Sequence, residues 1–373
     1  MMPEKRAPRR GIRSVVVCVA WVVCVACMLF GCSPFSMGGI LDTRPRGYVS
    51  TFAGATGLPG SADGTGSDAR FYQPSGVISN GSSLYVVDSG NNTIRQIVIS
   101  TGVVTTLAGT PGVTGSADGT GSAAQFDGSR LIAFDGTDLY LADTGNHTIR
   151  KIVISTGVVT TPFGTAGTSG SVDGTGNAAL FKGPRGIGTD GTCLYVADTG
   201  NDTIRQIVIS TGVVTTLAGT PGASGSTDGT GAAARFNDLR GIATDGTNLY
   251  VVDAGKNTIR KIIISTGVVT TFAGTAGVTG GADGTGSAAQ FNGPRGITIS
   301  GTDLYVTDYG NNTIRQIDIA TRAVTTMSGT AGATGGADGV GGDAQFNQPY
   351  GITTVGAALY VAEQGNHTIR LVR

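Results

Sequence analysis

Hydrophobic positions along this chain come in short runs cut by Gly, Asp, Ser and Thr, and no segment has the length or period of a substantial helix. One stretch reads Gly186-Ile187-Gly188-Thr189, then the turn Asp190-Gly191-Thr192, then Leu194-Tyr195-Val196-Ala197-Asp198. Asp-Gly between β-branched runs signals a hairpin, because glycine takes the positive φ that the turn needs. Thr199-Gly200-Asn201-Asp202 leads into a third strand over 203–209, and Ser210-Thr211-Gly212 into a fourth over 213–217. The pattern therefore predicts four antiparallel strands per unit. They are mostly apolar on both faces, as in a sheet pressed between neighbours.

The unit repeats six times with a step of 55 residues, as Thr-Ile-Arg at Thr93, Thr148, Thr203, Thr258, Thr313 and Thr368 shows. A period in this range marks a propeller, solenoid or array, and four antiparallel strands make a propeller blade. The last copy stops at Arg373 inside its third strand. The missing strand stands at the other end, where residues 48–54 match 213–219. The expected fold is all-β: a six-bladed β-propeller with four antiparallel strands per blade, closed by strand 48–54 completing the last blade.

The first 31 residues have a different pattern. Lys5, Arg6, Arg9, Arg10 and Arg13 precede an apolar run over 15–30, which reads as an export signal. Leu29-Phe30-Gly31-Cys32 resembles a bacterial lipobox. That resemblance implies cleavage before Cys32, acylation there, and a linker over 32–47 ahead of a propeller over 48–373. Several acyl chains would anchor the body to a membrane without spanning it. Residues 1–31 hold five of the 25 basic and one of the 25 acidic residues, so the remainder is net −4. It lacks the basic excess that binding a phosphate backbone requires, and nucleic acid is not an expected partner. Past Cys32 only Cys193 remains, which excludes an internal disulfide.

Pro184-Arg185-Gly186-Ile187, the stretch 194–201 and Asn146-His147-Thr148-Ile149 resemble NHL repeats over 48–373. The glycine-rich insert, such as 219–235, resembles a longer bacterial and plant variety of the repeat. The resemblance implies a six-bladed propeller that acts as a binding platform; it implies no particular ligand.

Repeated polar residues read first as scaffold. Gly-x-Gly-x-x-Ala recurs at Gly64, Gly119, Gly174, Gly229, Gly284 and Gly339 without the βαβ context of a dinucleotide site. Its Asp is expected to cap a turn locally, followed by at most one helical turn that plugs a Phe between blades. No cofactor is expected; calcium at these Asp-Gly loops is the alternative, with one carboxylate per loop against six to eight oxygens needed. Arg95 and its five counterparts are expected to pair with Asp88, Asp143, Asp198, Asp253, Asp308 and Glu363. Asn-x-Thr at Asn91, Asn146, Asn201, Asn311 and Asn366 reads as turn chemistry before it reads as glycosylation.

Where the copies differ, function has room. The position before each first strand holds Ser75, Arg130, Arg185, Arg240, Arg295 and Tyr350. In a propeller this point lies near the channel mouth, where four guanidiniums could fork onto a carboxylate or phosphate. The competing account pairs each Arg with a nearby Asp.

Catalysis has less support. Past residue 31 the chain has His147, His367 and Glu363, and the histidines sit two blades apart in the turn that holds Asn92, Asp202, Lys256 or Asn312 elsewhere. No catalytic or metal residue is assigned. The expected function is an exported, membrane-anchored platform of the bacterial cell envelope, monomeric, taking a protein, anionic small molecule or glycan. The alternatives are a lactonase- or lyase-type propeller enzyme and a structural or adhesive envelope protein.

Overall fold

The computed structural model describes residues 47–373; the expected signal and Cys32 lie outside them. The described chain folds into six antiparallel sheets, the six blades of a β-propeller. In blade 1 Pro74–Ser79 is innermost, followed outward by Ser83–Asp88, Thr93–Val98 and Val103–Ala108. A fifth strand corrects the expected four: Gly64–Thr65 pairs outside Val103–Ala108, and every blade has its equivalent. It comes from the glycine-rich insert, and Gly66 at φ +53° turns the chain from it into the single 3-10 turn Gly66–Asp68.

Closure is as the sequence implies. Tyr48–Ala53 lies between Thr368–Val372 and Gly339–Val340 in blade 6, so the N-terminal strand occupies the fourth place of the last blade. The Gly47 N–H donates to the Arg373 carbonyl, which sets the two ends of the propeller side by side.

The core is divided into wedges between blades. Tyr85, Val87 and Ile94 of blade 1 pack against Leu139, Leu141 and Ile152 of blade 2, and five similar clusters complete the circle. This explains why the second strands are apolar on both faces: all six residues of Ser83–Asp88 are buried. Each insert sends one Phe into a wedge, and Phe71, Phe126, Phe181, Phe236, Phe291 and Phe346 are all fully buried.

The inner strands run from one face, here called the mouth face, toward the other. Close to the axis they crowd. A Cβ on Gly186 would overlap the Arg240 carbonyl, and Gly76, Gly241, Gly296 and Gly351 also leave no room for one against the next blade's backbone. Leu131 takes this place in blade 2, whose inner strand is shortened to Ile132–Phe134. One step below, Val77, Ile132, Ile187, Ile242, Ile297 and Ile352 form an apolar ring that lines a hollow of about 200 Å³ in the channel.

Candidate functional site at the channel mouth

Six buried guanidiniums hold the blades together. Arg95 Nη1 donates to Asp88 Oδ2 at 3.0 Å, and Nη2 to Asp63 Oδ1 at 2.7 Å. The other two Nη hydrogens reach the carbonyls of Arg70 and Ala62, the buried Nε–H has no partner, and the Phe71 ring lies under the guanidinium at 5.1 Å. The same set recurs in every blade, with Glu363 replacing Asp in blade 6. The Asp-Gly aspartate is therefore not a local cap, as the sequence suggested. Asp63 ties Arg95 to the outer strand through the Thr106 hydroxyl at 3.0 Å, and no side chain caps the 3-10 turn.

The Asn-x-Thr asparagines are consumed in the same way. Asn91 is buried, and its amide donates to Asp88 Oδ2 at 2.8 Å and to the Gly60 carbonyl at 2.7 Å. Burial pushes the carboxyls of Asp88, Asp198 and Asp308 up to about 6, against the pull of Asn, backbone N–H and Arg donors. In blade 4 Lys256 stands in the asparagine's place, and Asp253 rises to about 7.

The next turn residue takes a left-handed backbone and is Asn92, His147, Asp202, Asn257, Asn312 or His367. Asn257, not Lys256, is the blade-4 equivalent of the histidines. Each accepts the backbone N–H of the following blade: His147 Nδ1 from Gly183 at 3.0 Å, His367 Nδ1 from Gln73 at 3.1 Å, and Asn312 Oδ1 from Gln348 at 2.9 Å. Both histidines thus serve as inter-blade acceptors.

The mouth is built differently, because its position repeats as Arg in only four blades and the carboxylate that faces them occurs once. Arg185 Nη1 meets Asp238 Oδ1 at 3.1 Å; Arg240 Nη2 and Arg295 Nη1 meet Asp238 Oδ2 at 2.8 and 3.3 Å. Three arginines from three blades therefore share one carboxylate. Arg130, from the fourth, makes no ion pair among the described residues and lies within electrostatic reach of Arg185 and Tyr309. Tyr350 Oη accepts from Arg240 Nη1 at 3.3 Å, Arg295 lies over the Tyr309 ring at 5.0 Å, and the two tyrosines meet edge-on at 6.1 Å. Ser75 is fully buried and turned into the wall, bonded to the Ser89 hydroxyl and to the Arg130 carbonyl at 2.7 Å.

Electrostatics reflect the crowding. Burial works against the ionised Asp238, yet Arg240, Arg295 and Arg185 hold it below the usual carboxylate range. Burial, then Arg240, lowers both Arg185 and Arg295 from the ordinary arginine value. Beside Arg185 a hollow of about 350 Å³ opens, lined also by His147, Lys182 and Asp238. Among the described residues no group of three His, Cys, Asp or Glu is placed to hold a metal ion.

Two contributors escaped the sequence reading. Asp238 sits at φ +56° where other copies have Gly128, Gly183 and Gly293 or Gln73 and Gln348. Thr307, where other copies have Val or Ala, is buried; its hydroxyl holds the Tyr350 carbonyl at 2.6 Å and the Gly296 N–H at 2.7 Å. Alignment of the copies carries the signal for both.

Fold and mouth define a six-bladed β-propeller with one asymmetric, arginine-rich end. The chain carries an NHL repeat: the family profile described as NHL repeat matches residues 291–317. NHL repeat-containing protein 2 of Homo sapiens is 29% identical over 305 residues, 72% of this chain and 42% of that protein. Protein SUPPRESSOR OF QUENCHING 1, chloroplastic, of Arabidopsis thaliana is 32% identical over 285 residues, 71% of this chain and 27% of that protein. The chain thus spans less than half of either relative. Among solved structures, an auxiliary nutrient binding protein of Bacteroides thetaiotaomicron superposes with a TM-score of 0.67 at 16% identity, covering 87% of this chain and 76% of that one. That likeness concerns the fold.

Proposed function

We propose that this chain is an exported binding platform, anchored to a membrane of the bacterial envelope through acylated Cys32, whose channel mouth captures an anionic group. One observation carries the reading: Arg130, Arg185, Arg240 and Arg295 converge on a mouth that supplies a single carboxylate, Asp238. Guanidiniums stay charged at any physiological pH and present forked donors to carboxylate or phosphate. Four consecutive blades place them at one level of the mouth, beside Ser75 and Tyr350 in the other two blades. The nutrient-binding neighbour supports ligand capture as a use of this fold.

Topology is compatible with a tether. Gly47 adjoins Arg373 at the end of blade 6 away from the mouth face, so the first described residue stands opposite the arginines.

The test uses the full chain in detergent micelles on an immobilised polyglutamate surface. Arg130→Gln with Arg185→Gln should weaken retention by at least about tenfold, since close charge pairs couple strongly, without changing the melting midpoint. In a parallel arm Cys32→Ser should release the protein from the membrane fraction. Undiminished retention would discard the mouth as the binding site, and a Cys32→Ser protein still in the membrane would discard the lipid anchor.

A further inference from the structure

The charge balance of the mouth says more about what it takes. Four guanidiniums face one carboxylate, so the mouth proper carries three uncompensated positive charges. Asp127 against Gly145 and Lys182 against Gly200 take equivalent places in adjacent blades, and their charges cancel in the sum. Asp202 is already committed, accepting the Ser224 hydroxyl and the Asp238 N–H at 3.2 Å. Even if Asp202 is counted, the balance remains positive by two.

These charges are not freely hydrated. The side chains of Arg240, Arg295 and Arg185 are 11, 19 and 30% exposed. Like charges held close in a partly desolvated cup repel, and each anionic charge brought in relieves that repulsion in proportion. Below, the hollow inside the apolar ring from Val77 to Ile352 is lined by no charged side chain, so an ion entering it would lose its hydration without a partner. A charged ligand therefore stops at the arginines.

Asp238 sets the charge balance. It stands at a positive φ where three other copies have glycine and two have glutamine, a position a non-glycine residue takes only at some cost, and its carboxylate is the shared acceptor for three arginines. It acts as an internal counter-ion that already satisfies one anion's worth of charge. A ligand with a single negative charge gains little beyond what Asp238 supplies, whereas a ligand with two or three neutralises the remainder through Arg130 and Arg185. Thr307 and the Tyr309–Tyr350 contact brace the wall beside Arg295 and Arg240, so these arginines are presented from a fixed frame.

From this we infer that the mouth selects small, multiply charged anions of the phosphate or polycarboxylate class over singly charged ones, and that Asp238 sets that selectivity. The inference rests on the anion-binding reading above.

Calorimetry on the full chain in neutral detergent, at constant ionic strength, tests it with acetate, inorganic phosphate and citrate as probes. Citrate and phosphate should bind at least about tenfold more tightly than acetate. Asp238→Asn, which keeps an acceptor and tolerates the left-handed backbone, should tighten citrate binding about tenfold by removing the competing charge. Arg130→Gln should weaken it, and because Arg130 makes no ion pair its loss leaves the propeller intact. If acetate and citrate bind alike, or Asp238→Asn binds citrate no better, the selectivity inference is overturned while anion capture stands. If no probe binds to the native chain or to Asp238→Asn, anion capture at the mouth fails as well.

Discussion

Lys256 marks the place where one buried carboxylate loses a donor. In five blades an asparagine amide reaches the buried acid, as Asn201 does to Asp198 at 2.7 Å, and Lys256 replaces it in blade 4. The consequence is visible in the carboxyl: Asp253 rises to about 7 where Asp198 rises to about 6. Both lie above the ordinary 3.8, so between 3.8 and the raised value the folded protein holds a proton that the unfolded chain has lost. Such a group costs stability above its folded pKa, and the cost fades as pH falls. Restoring the amide with Lys256→Asn should bring Asp253 down to the level of its counterparts and raise stability by about 1 kcal/mol, one pKa unit's worth. The gain should be full above about pH 7 and gone below about pH 6, and urea unfolding at pH 8 and pH 5 checks it. An equal gain at both pH values would place the effect elsewhere than in the carboxyl.

At the scale of strands, Tyr48–Ala53 has two partners, since Thr368–Val372 bonds one edge and Gly339–Val340 the other. Val49 and Ala53 on it are fully buried. Deleting 48–53 removes about five ladder bonds at about 1 kcal/mol each, so the thermal midpoint should fall by about 10 °C; an unchanged melt would argue against the closing role. This strand was legible because it aligns with 213–219, identical at Val49, Thr51, Ala53 and Gly54. The outermost strand was not, because Gly-Thr is too short to show a period and glycine gives no hydrophobic signal. The aspartate before it was misjudged for a related reason: sequence shows a turn, not the buried Arg95 that reaches the turn from 32 positions away. The arginines of the mouth were legible as a broken repeat, but their meeting on Asp238 depends on a side chain from the neighbouring blade, which no spacing along the chain reveals.

The whole ring behaves as a repeated experiment, because the same buried guanidinium stands in six blades with nearly the same distances. Arg95, Arg205 and Arg370 each bind a fully buried carboxylate at 3.0 Å and a half-exposed aspartate at 2.7, 2.7 and 2.9 Å. In an open array, end units lack one neighbour and unfold most easily, so damage there costs the least. In a closed ring every blade has two neighbours, and blade 6 is made from both ends of the propeller. Arg95→Met, Arg205→Met and Arg370→Met each strand a buried carboxylate, which costs about 3 to 5 kcal/mol when an ion pair loses one partner. Closure predicts that the three losses agree within about 1 kcal/mol, the margin expected for equivalent but distant sites, and that each variant unfolds in urea through a single transition. If Arg370→Met proves far milder than Arg205→Met, or adds an early transition, blade 6 opens independently and the ring is not one cooperative unit. That outcome would also bear on the mouth, since Tyr350 reaches Arg240 from blade 6 and the frame around the arginines holds only while that blade stays closed.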